Sequence, residues 1–319
     1  MSEILLGVGA SHSTLMNTHW DEVDHLDGAH RFRDGLAEAR RLVERARPDA
    51  VVVIGSNHFR GFFLDLMPAF TVGVGAVNGA GEAGTPAGPL PVDTALARHL
   101  VDSLVGSGFD PAFSLRLTVD HGITHALQYL VPGLDVPVVP VVVNMFAPPL
   151  PSLRRCHALG SAIGAAVRSD GTGKRVVVIA SGGLSHRLPW PKWYDALSDD
   201  DRFLVEAWLN GRDSWSEYEV RRRQIIRAAA PDIDPGFDRW FLDLLARGDL
   251  DPITAMGDDE ITRRAGNGAQ EIRAWVAMAA AVGSADGRTL AYAPVDAWLT
   301  GMGVAALHPQ NTPRQESHA

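Results

Sequence analysis

The fold is indicated most clearly by residues 175–186, which read RVVVIASGGLSH. After Arg175, three valines, an isoleucine and an alanine follow without a polar side chain. A continuous apolar run of this kind is typical of a strand that is buried on both faces of a sheet. Ser181, two glycines and His186 come next, where the strand should end. The stretch therefore predicts a central strand with a polar turn at its carboxyl end.

Three further apolar runs predict buried strands of the same sheet, at Ile4–Gly9, Ala50–Gly55 and Val136–Val143. Helical patterns lie between or after these runs, at roughly Gly28–Arg47, Asp93–Ser107, Leu153–Arg168 and Ala269–Val282. This alternation indicates an α/β fold, with a central, mostly buried mixed sheet flanked by helices. A charged stretch at residues 198–249 predicts a helical lobe. We expect a single domain over residues 1–319, with a polar tail from about residue 310.

Two glycine-rich stretches predict irregular backbone. Gly73–Gly79 has the wrong spacing for a dinucleotide-binding fingerprint, which indicates a glycine-rich turn instead. Asn78–Pro91 is rich in glycine and proline, the residues that most often interrupt regular structure. We therefore expect a loop there, near a site or over the surface.

The composition argues against several classes of protein. A formal net charge of -9 disfavours nucleic acid and anionic membranes as partners, since both attract clustered positive charge. The basic run Arg221–Arg223 is interpreted as a solvated helix face. Met1–Leu6 lacks the basic region of a secretory signal, so we expect a cytoplasmic protein. Cys156 is the single cysteine, which excludes an intramolecular disulfide or a cysteine-based metal site within one chain and favours a structural thiol.

Four histidines share a context that points to a functional site. His12, His58 and His186 each follow a predicted strand, and His121 lies in a glycine-bearing turn. Because ligands bind beyond the carboxyl ends of strands in open α/β sheets, these side chains are expected to converge on one crevice. His125 is ambiguous, since it lies one helical turn after His121. Other histidines are expected at the surface or in packing contacts, including His19, His25, His30, His99, His157 and His308.

Such a cluster predicts a bound metal ion. Two imidazoles and a carboxylate suit iron(II) that activates oxygen, and the same neutral ligands could hold zinc for hydrolysis. The candidate carboxylate is Glu271, near the start of an apolar helix. A glutamate in a first helical turn also complements the helix dipole, which is the alternative interpretation. The spacing of the residues leaves iron and zinc open.

Six short blocks follow one another in a recognisable order. They are Ser11–Ser13, His58 with Gly61–Phe63, Met67–Pro68 before Gly73–Ala76, Val119–Gly122, Ser181–His186, and Glu271–Ile272 before Trp275–Ala277. Together they resemble the class III extradiol dioxygenases, the superfamily that contains the catalytic subunit of protocatechuate 4,5-dioxygenase. Each block alone is a weak signal, but the ordered set runs nearly from end to end and is specific.

The resemblance implies an enzyme that opens a catechol ring with molecular oxygen and uses iron(II). His12 and His58 match the family's iron-binding histidines, and Glu271 matches its carboxylate ligand. His121 and His186 match the two acid–base histidines, of which we assign the base role to His186 and the proton-donor role to His121. Histidine suits both roles because its pKa lies near the working pH. The resemblance also implies a homo-oligomer and a 3-substituted catechol such as 3-(2,3-dihydroxyphenyl)propanoate.

Two departures from close relatives lie beside the second histidine and bear on the substrate. Asn57 stands where they tend to carry aspartate, and Arg60 replaces a smaller polar residue. Arg60 and Arg187 are candidates to bind a substrate carboxylate, and Trp190 is a candidate wall of an aromatic pocket. Solvent-facing arginines are the alternative interpretation.

Two other functions remain open from the sequence. One is a zinc-dependent hydrolase that uses the same cluster, and the other is a non-catalytic binding protein similar to the Memo signalling proteins. The hydrolase would work without oxygen and would be active with zinc. Retention of all five matching residues, including the two acid–base histidines, favours catalysis.

Overall fold

The computed structural model describes residues 1–283 and 286–309, and the predicted polar tail lies outside them. Within these residues the chain forms nine strands and eleven α-helices. The strands are β1 (Glu3–Ala10), β2 (Ala50–Gly55), β3 (Phe70–Ala80), β4 (Ala87–Leu90), β5 (Ala112–Val119), β6 (Val138–Val143), β7 (Arg175–Ser181), β8 (Asp286–Val295) and β9 (Thr300–His308). The helices are α1 (Thr14–Thr18), α2 (Asp27–Ala46), α3 (Thr94–Gly106), α4 (His121–Leu130), α5 (Leu153–Ser169), α6 (Asp199–Asn210), α7 (Trp215–Arg227), α8 (Pro235–Arg247), α9 (Asp251–Thr254), α10 (Asp258–Ala265) and α11 (Ile272–Val282).

All nine strands form one mixed sheet. Its order is β4-β3-β6-β2-β7-β1-β9-β8, and β5 pairs with β3. Strands β6, β2, β7 and β1 are parallel neighbours, whereas β9 and β8 extend the sheet in antiparallel fashion. Every residue of β2 and β6 is buried, as expected for central strands that are covered on both faces. The predicted α/β fold with a mostly buried mixed sheet is confirmed.

Alternate residues of the central strands point into two different cores. Val51 and Val53 of β2 pack in the core that contains residues of α2 and α4. Val52 and Ile54 pack in the other core, which contains residues of α5 and α11. All four side chains are fully buried, and each such burial typically contributes ~1.5–3 kcal/mol. This packing fixes the carboxyl ends of β1, β2 and β7 side by side.

The glycine-rich stretches predicted to be irregular are largely strands. Gly73–Gly79 lies inside β3, and Asn78–Pro91 contains the end of β3 and all of β4. The prediction was wrong because glycine here allows close contact between backbones. A Cβ on Gly79, for example, would lie 2.1 Å from the carbonyl oxygen of Pro86. Glycine inside a strand often marks such a close approach.

The predicted helical lobe is present as α6, α7 and α8. Ser198 and Asp201 form a capping box at the start of α6, and Asp234 caps α8. Helix α7 contains no buried residue and carries the basic run Arg221–Arg223. Among the described residues, no helix combines the length and the apolar composition that crossing a membrane requires.

The single cysteine is buried where α5 begins. The Cys156 thiol donates to the carbonyl of Pro151 at 3.8 Å, and burial raises its pKa to about 12. A thiol that ionises so poorly is a weak nucleophile, which agrees with the structural role expected from the sequence.

Close packing of α5 on α11 depends on a glycine. A Cβ on Gly160 would lie 2.0 Å from the backbone oxygen of Ala277, so the two helices would have to separate. We expect Gly160→Ala to lower the free energy of unfolding by ~1–3 kcal/mol, as overpacking typically does. Urea unfolding followed by circular dichroism measures this. Gly106→Ala in α3, where a Cβ meets nothing within 4 Å, is the matched control and should not destabilise. Equal stability of Gly160→Ala and wild type would contradict the packing argument.

Candidate active site

The four histidines expected to converge line one cavity, and Glu271 joins them there. The cavity encloses about 1020 Å³ and opens to solvent. His12, His58 and His186 follow β1, β2 and β7, which are neighbouring parallel strands. His121 begins α4, whose first turn packs on the end of β2. A Cβ on Gly55 would lie 2.0 Å from the carbonyl oxygen of the residue after His121.

His12, His58 and Glu271 bring three ligand atoms together. One carboxylate oxygen of Glu271, Oε1, lies 3.1 Å from Nε2 of His12 and 3.5 Å from Nε2 of His58. All three side chains are buried. Nε2 of His12 makes no hydrogen bond within the described residues, although it is buried. Two imidazole nitrogens and a carboxylate oxygen that face one point are a donor set suited to a divalent metal ion.

Two hydrogen bonds fix the position of the Glu271 carboxylate. Ser56 Oγ donates to Oε1 at 2.5 Å, and the backbone N–H of Gly183 donates to Oε2 at 2.7 Å. Burial would raise the pKa of Glu271, but attraction to the nearby His12 and His58 holds it well below its usual range. Glu271 is therefore an anion in a buried site, which requires a positive charge nearby.

Polar partners also orient the two histidines. Nδ1 of His12 lies 3.0 Å from Ser181 Oγ, and Nδ1 of His58 lies 3.2 Å from Asp120 Oδ1. Asp120 also accepts from the backbone N–H of His58 at 2.5 Å. Despite burial, the interactions with His58 keep the pKa of Asp120 well below its usual range. A carboxylate behind a histidine fixes its tautomer and leaves Nε2 free to bind metal.

His121 lies directly against the ligand set. Its ring stacks on that of His58 with centroids 3.8 Å apart. Nδ1 lies 2.8 Å from Glu82 Oε1, and the backbone N–H of His121 donates to the same oxygen at 2.7 Å. Burial and the neighbouring His58 lower the pKa of His121 to about 4, while Glu82 opposes this shift. The ring of His121 thus has a fixed orientation, and the neighbouring Glu82 carboxylate can stabilise a proton on that ring.

His186 has a different partner. Its Nδ1 lies 2.8 Å from the carbonyl oxygen of Leu184, which can only accept, so Nδ1 carries the hydrogen and Nε2 is left as an acceptor. Burial lowers the pKa of His186. The ring packs against Gly268, where a Cβ would lie 2.1 Å from Nε2. His186 is therefore a neutral imidazole with a defined tautomer.

Two ligand sets that contain His121 are also geometrically possible. Donor atoms of His12, His58 and His121 all lie within 4.8 Å of one another, as do those of Glu82, Asp120 and His121. Glu271 is the better third ligand, because one of its oxygens contacts Nε2 of both His12 and His58. His121 has a carboxylate partner of its own.

Several residues of the site were not identified from the sequence. Asp120 directly precedes His121, and Ser56 lies just after β2, so their positions were signals in retrospect. Glu82 lies in the stretch predicted as a loop near a site or over the surface, but no motif distinguished it from the other residues of that stretch. His125 is buried with its ring centroid 6.2 Å from that of His12. It packs behind the ligand set rather than lining the cavity.

The three candidates for substrate binding lie in different places. Arg60 and Trp190 line the cavity. Arg187 does not line it, and its guanidinium pairs instead with Asp232 at 2.7 Å. Asn57 organises the turn that follows it by accepting from the backbone N–H groups of residues 61 and 62 at 3.1 and 3.0 Å.

Asp238 of α8 supports the segment that carries His186. Its buried carboxyl accepts from the backbone and hydroxyl of Ser185 at 2.7 and 2.8 Å, and from Tyr292 at 2.8 Å. Burial raises the pKa of Asp238 from 3.8 to about 6. Because the folded pKa exceeds the unfolded one, this group stabilises the fold below about pH 4. That contribution is lost as the pH rises through about 6.

We expect Asp238→Asn to remove this pH-dependent loss of folding stability. The free energy of unfolding of the variant, relative to wild type, should increase by as much as about 3 kcal/mol between pH 4 and 7. Urea unfolding at a series of pH values measures the difference. Asp243→Asn, on the exposed side of α8, is the matched control. A difference that stays constant over this pH range would show that Asp238 does not take up a proton there.

Comparison with known proteins gives a consistent result. Residues 7–303 match the family described as the catalytic LigB subunit of aromatic ring-opening dioxygenase. A 2,3-dihydroxyphenylpropionate/2,3-dihydroxicinnamic acid 1,2-dioxygenase of Rhodococcus sp is 37% identical over 309 residues, which cover 92% of this chain and 95% of that protein. Similarly named proteins are 39% identical in Burkholderia vietnamiensis (85% of this chain, 87% of that protein) and 35% identical in Escherichia coli K12 (92% and 98%).

A solved structure shares the fold. An uncharacterized protein from Escherichia coli K12 aligns with a TM-score of 0.50 and 14% identity, covering 95% of this chain and 99% of that one. At this identity the likeness concerns the fold alone. The family match and the relatives, by contrast, extend over the strand ends that carry the histidines and Glu271. The chain therefore belongs to the LigB family of aromatic ring-opening dioxygenases, and it is an extradiol ring-cleaving dioxygenase.

Proposed function

We propose that the enzyme uses iron(II) to cleave 3-(2,3-dihydroxyphenyl)propanoate or a related 3-substituted catechol, and that both atoms of O2 enter the product. The observation that carries this proposal is the donor set itself. A buried Glu271 oxygen lies 3.1 and 3.5 Å from the Nε2 atoms of His12 and His58. Two histidines and one carboxylate with room for further ligands suit non-haem iron(II) oxygenases. The names of the relatives support this choice of substrate.

The chain's own residues would hold iron(II) through His12, His58 and Glu271. When bound, iron(II) acidifies the catechol hydroxyls and activates O2. Ser181 and Asp120 keep the Nδ1 atoms of the two histidines occupied, which directs both Nε2 atoms toward the metal position. Replacing such supporting groups typically costs 10–100-fold in metal affinity or activity.

His186 is proposed as the general base. Its neutral tautomer, set by the carbonyl of Leu184, leaves Nε2 able to accept a proton from a catechol hydroxyl. The charge of Glu271 stabilises the imidazolium that results. A base that is neutral before the reaction and gains a stabilised charge fits general base catalysis.

His121 is proposed as the proton donor to the reacting oxygen. Glu82 accepts a hydrogen bond from Nδ1 of His121, and Asp120 contributes a second nearby negative charge. Burial and His58 lower the pKa of the free ring to about 4, but both carboxylates stabilise the protonated ring once a proton reaches it, as a proton relay to the reacting oxygen requires. Stacking on His58 places this ring against the ligand set.

The metal decides between the proposed function and the zinc hydrolase. The experiment loads the protein anaerobically with iron(II) or with zinc, then follows oxygen uptake and the yellow ring-opened product with 3-(2,3-dihydroxyphenyl)propanoate. We expect consumption of one O2 per substrate with iron and none with zinc. Oxygen-independent turnover with zinc would favour the hydrolase. Absence of oxygen uptake with this substrate and with a panel of other catechols would refute the proposal.

A further inference from the structure

The outer part of the cavity is basic, although the whole chain is acidic. Arg60 lines it from the turn after His58, and α7 contributes Arg222, Arg223 and Arg227. Glu219, also from α7, is the carboxylate among them. The other two carboxylates of the lining, Glu82 and Glu271, pair with His121 and His12, so Glu219 is the one carboxylate of the lining that forms ion pairs with the arginines. A chain with a formal net charge of -9 has no general surplus of positive charge, so this concentration is a local feature of the cavity.

Glu219 is shared among three of these arginines. Its carboxylate lies 3.4 Å from Arg60, 3.1 Å from Arg222 and 2.5 Å from Arg223. The side chain of Arg227 makes no ion pair or hydrogen bond among residues 1–283 and 286–309. One carboxylate cannot neutralise this set. A further anion in the cavity would relieve the mutual repulsion of the guanidinium groups.

The basic cluster is connected to the metal-binding end of the cavity. Arg60 donates to the carbonyl oxygen of Phe59 at 3.3 Å and to that of His58 at 3.5 Å. Burial and the neighbouring Arg222 lower the pKa of Arg60 to about 10, while Glu82 and Glu219 oppose the shift. Arg60 therefore interacts electrostatically with Arg222 of α7 and with Glu82, the carboxylate that contacts His121.

Apolar groups also line the cavity. Leu188, Trp190 and Ile226 line the cavity together with the histidines and the arginines. Trp190 packs edge-on against His58 with ring centroids 5.6 Å apart, and its buried Nε1 has no hydrogen-bond partner in the described part of the chain. The cavity thus combines candidate metal ligands, apolar side chains with an unused N–H donor, and a group of arginines.

We propose that Arg222, Arg223 and Arg227, together with Arg60, bind a negatively charged substituent of the catechol and select anionic catechols over neutral ones. This inference rests on the proposed function and extends it to the residues that determine specificity. Guanidinium groups match carboxylates in shape and charge, and a cleft lined with one sign of charge concentrates ligands of the opposite sign. The basic run interpreted from the sequence as a solvated face thus borders the active site through two of its three members. Arg221 instead pairs with Asp200 at 2.7 Å and does not line the cavity.

The test compares two catechols of equal length with the iron-loaded enzyme. One carries a propanoate group at position 3 and the other carries an uncharged propyl group. We expect Arg222→Gln to raise KM for the propanoate substrate about 10- to 100-fold, with little change in kcat and in KM for the propyl compound. Arg227→Gln, which breaks no described contact, should raise the same KM about two- to fivefold. Arg222→Lys, which keeps the charge near Trp215 and Glu219, should restore part of the affinity.

Arg221→Gln is the matched control, since it removes the same charge from the same helix outside the cavity. It should leave the preference for the propanoate substrate unchanged. Anaerobic titration calorimetry with both catechols gives Kd as a second readout. Cleavage of both catechols with a preference that none of the cavity arginines alters, or that Arg221→Gln alters equally, would overturn the inference. If wild type cleaves neither catechol, the proposed function itself fails.

Discussion

Replacing Glu271 with glutamine is expected to abolish tight iron binding and, with it, ring cleavage. The amide removes the one negative charge that contacts Nε2 of both His12 and His58. The loss should exceed the 10–100-fold that is typical when a group behind a ligand is replaced. Iron(II) titration under anaerobic conditions, followed by oxygen uptake with 3-(2,3-dihydroxyphenyl)propanoate, measures both effects.

The same titration distinguishes the possible ligand sets. His19→Ala is the control, because His19 lines the cavity but belongs to none of them. It should bind iron as wild type does. If Glu271→Gln kept its iron while His121→Ala lost it, the ligands would include His121 rather than Glu271.

Replacing His121 or His186, the proposed acid–base residues, with alanine is expected to leave iron bound and to lower kcat by ~10²–10⁴-fold, the usual contribution of a positioned proton-transfer group. The two variants should fail at different steps. His186→Ala should bind a catechol without taking up its proton, because Nε2 is the acceptor that the Leu184 carbonyl leaves free. His121→Ala should take up the proton but fail to open the ring.

Anaerobic absorbance spectra with a chromogenic nitrocatechol separate these steps, since the catechol and its anion absorb differently. His125→Ala is the control for general disturbance of α4, as His125 is buried outside the cavity lining. If His121→Ala lost deprotonation and His186→Ala retained it, the two roles would have to be exchanged.

The sheet could be predicted only where strands are apolar and central. Strands β1, β2, β6 and β7 were recognisable because their valines are buried on both faces. Strand β5 was missed because most of its residues are exposed, with Phe113 and Leu115 each 63% accessible. Strand β9 was missed because it contains glycines that tertiary contacts require. A Cβ on Gly301 would lie 2.0 Å from a carboxylate oxygen of Asp238, which is remote in sequence.

The sequence allowed prediction of the site residues that lie just after predicted strands. His12, His58 and His186 follow neighbouring parallel strands, so a general property of α/β sheets brought them together. The arginines of α7 could not be found in this way. An amphipathic pattern does not show whether a polar helix face meets solvent or an active-site cavity, and only the packing of the lobe places α7 there. The homo-oligomer, the single domain and the cytoplasmic location stay predictions.

The proposed reaction inserts both atoms of O2 into a catechol ring. Turnover of 3-(2,3-dihydroxyphenyl)propanoate by the iron-loaded enzyme under ¹⁸O2, followed by mass spectrometry of the product in rapidly quenched samples, tests it most directly. We expect a ring-opened product that carries two ¹⁸O atoms. A product that carries no ¹⁸O, or turnover that proceeds in the absence of O2, would contradict it.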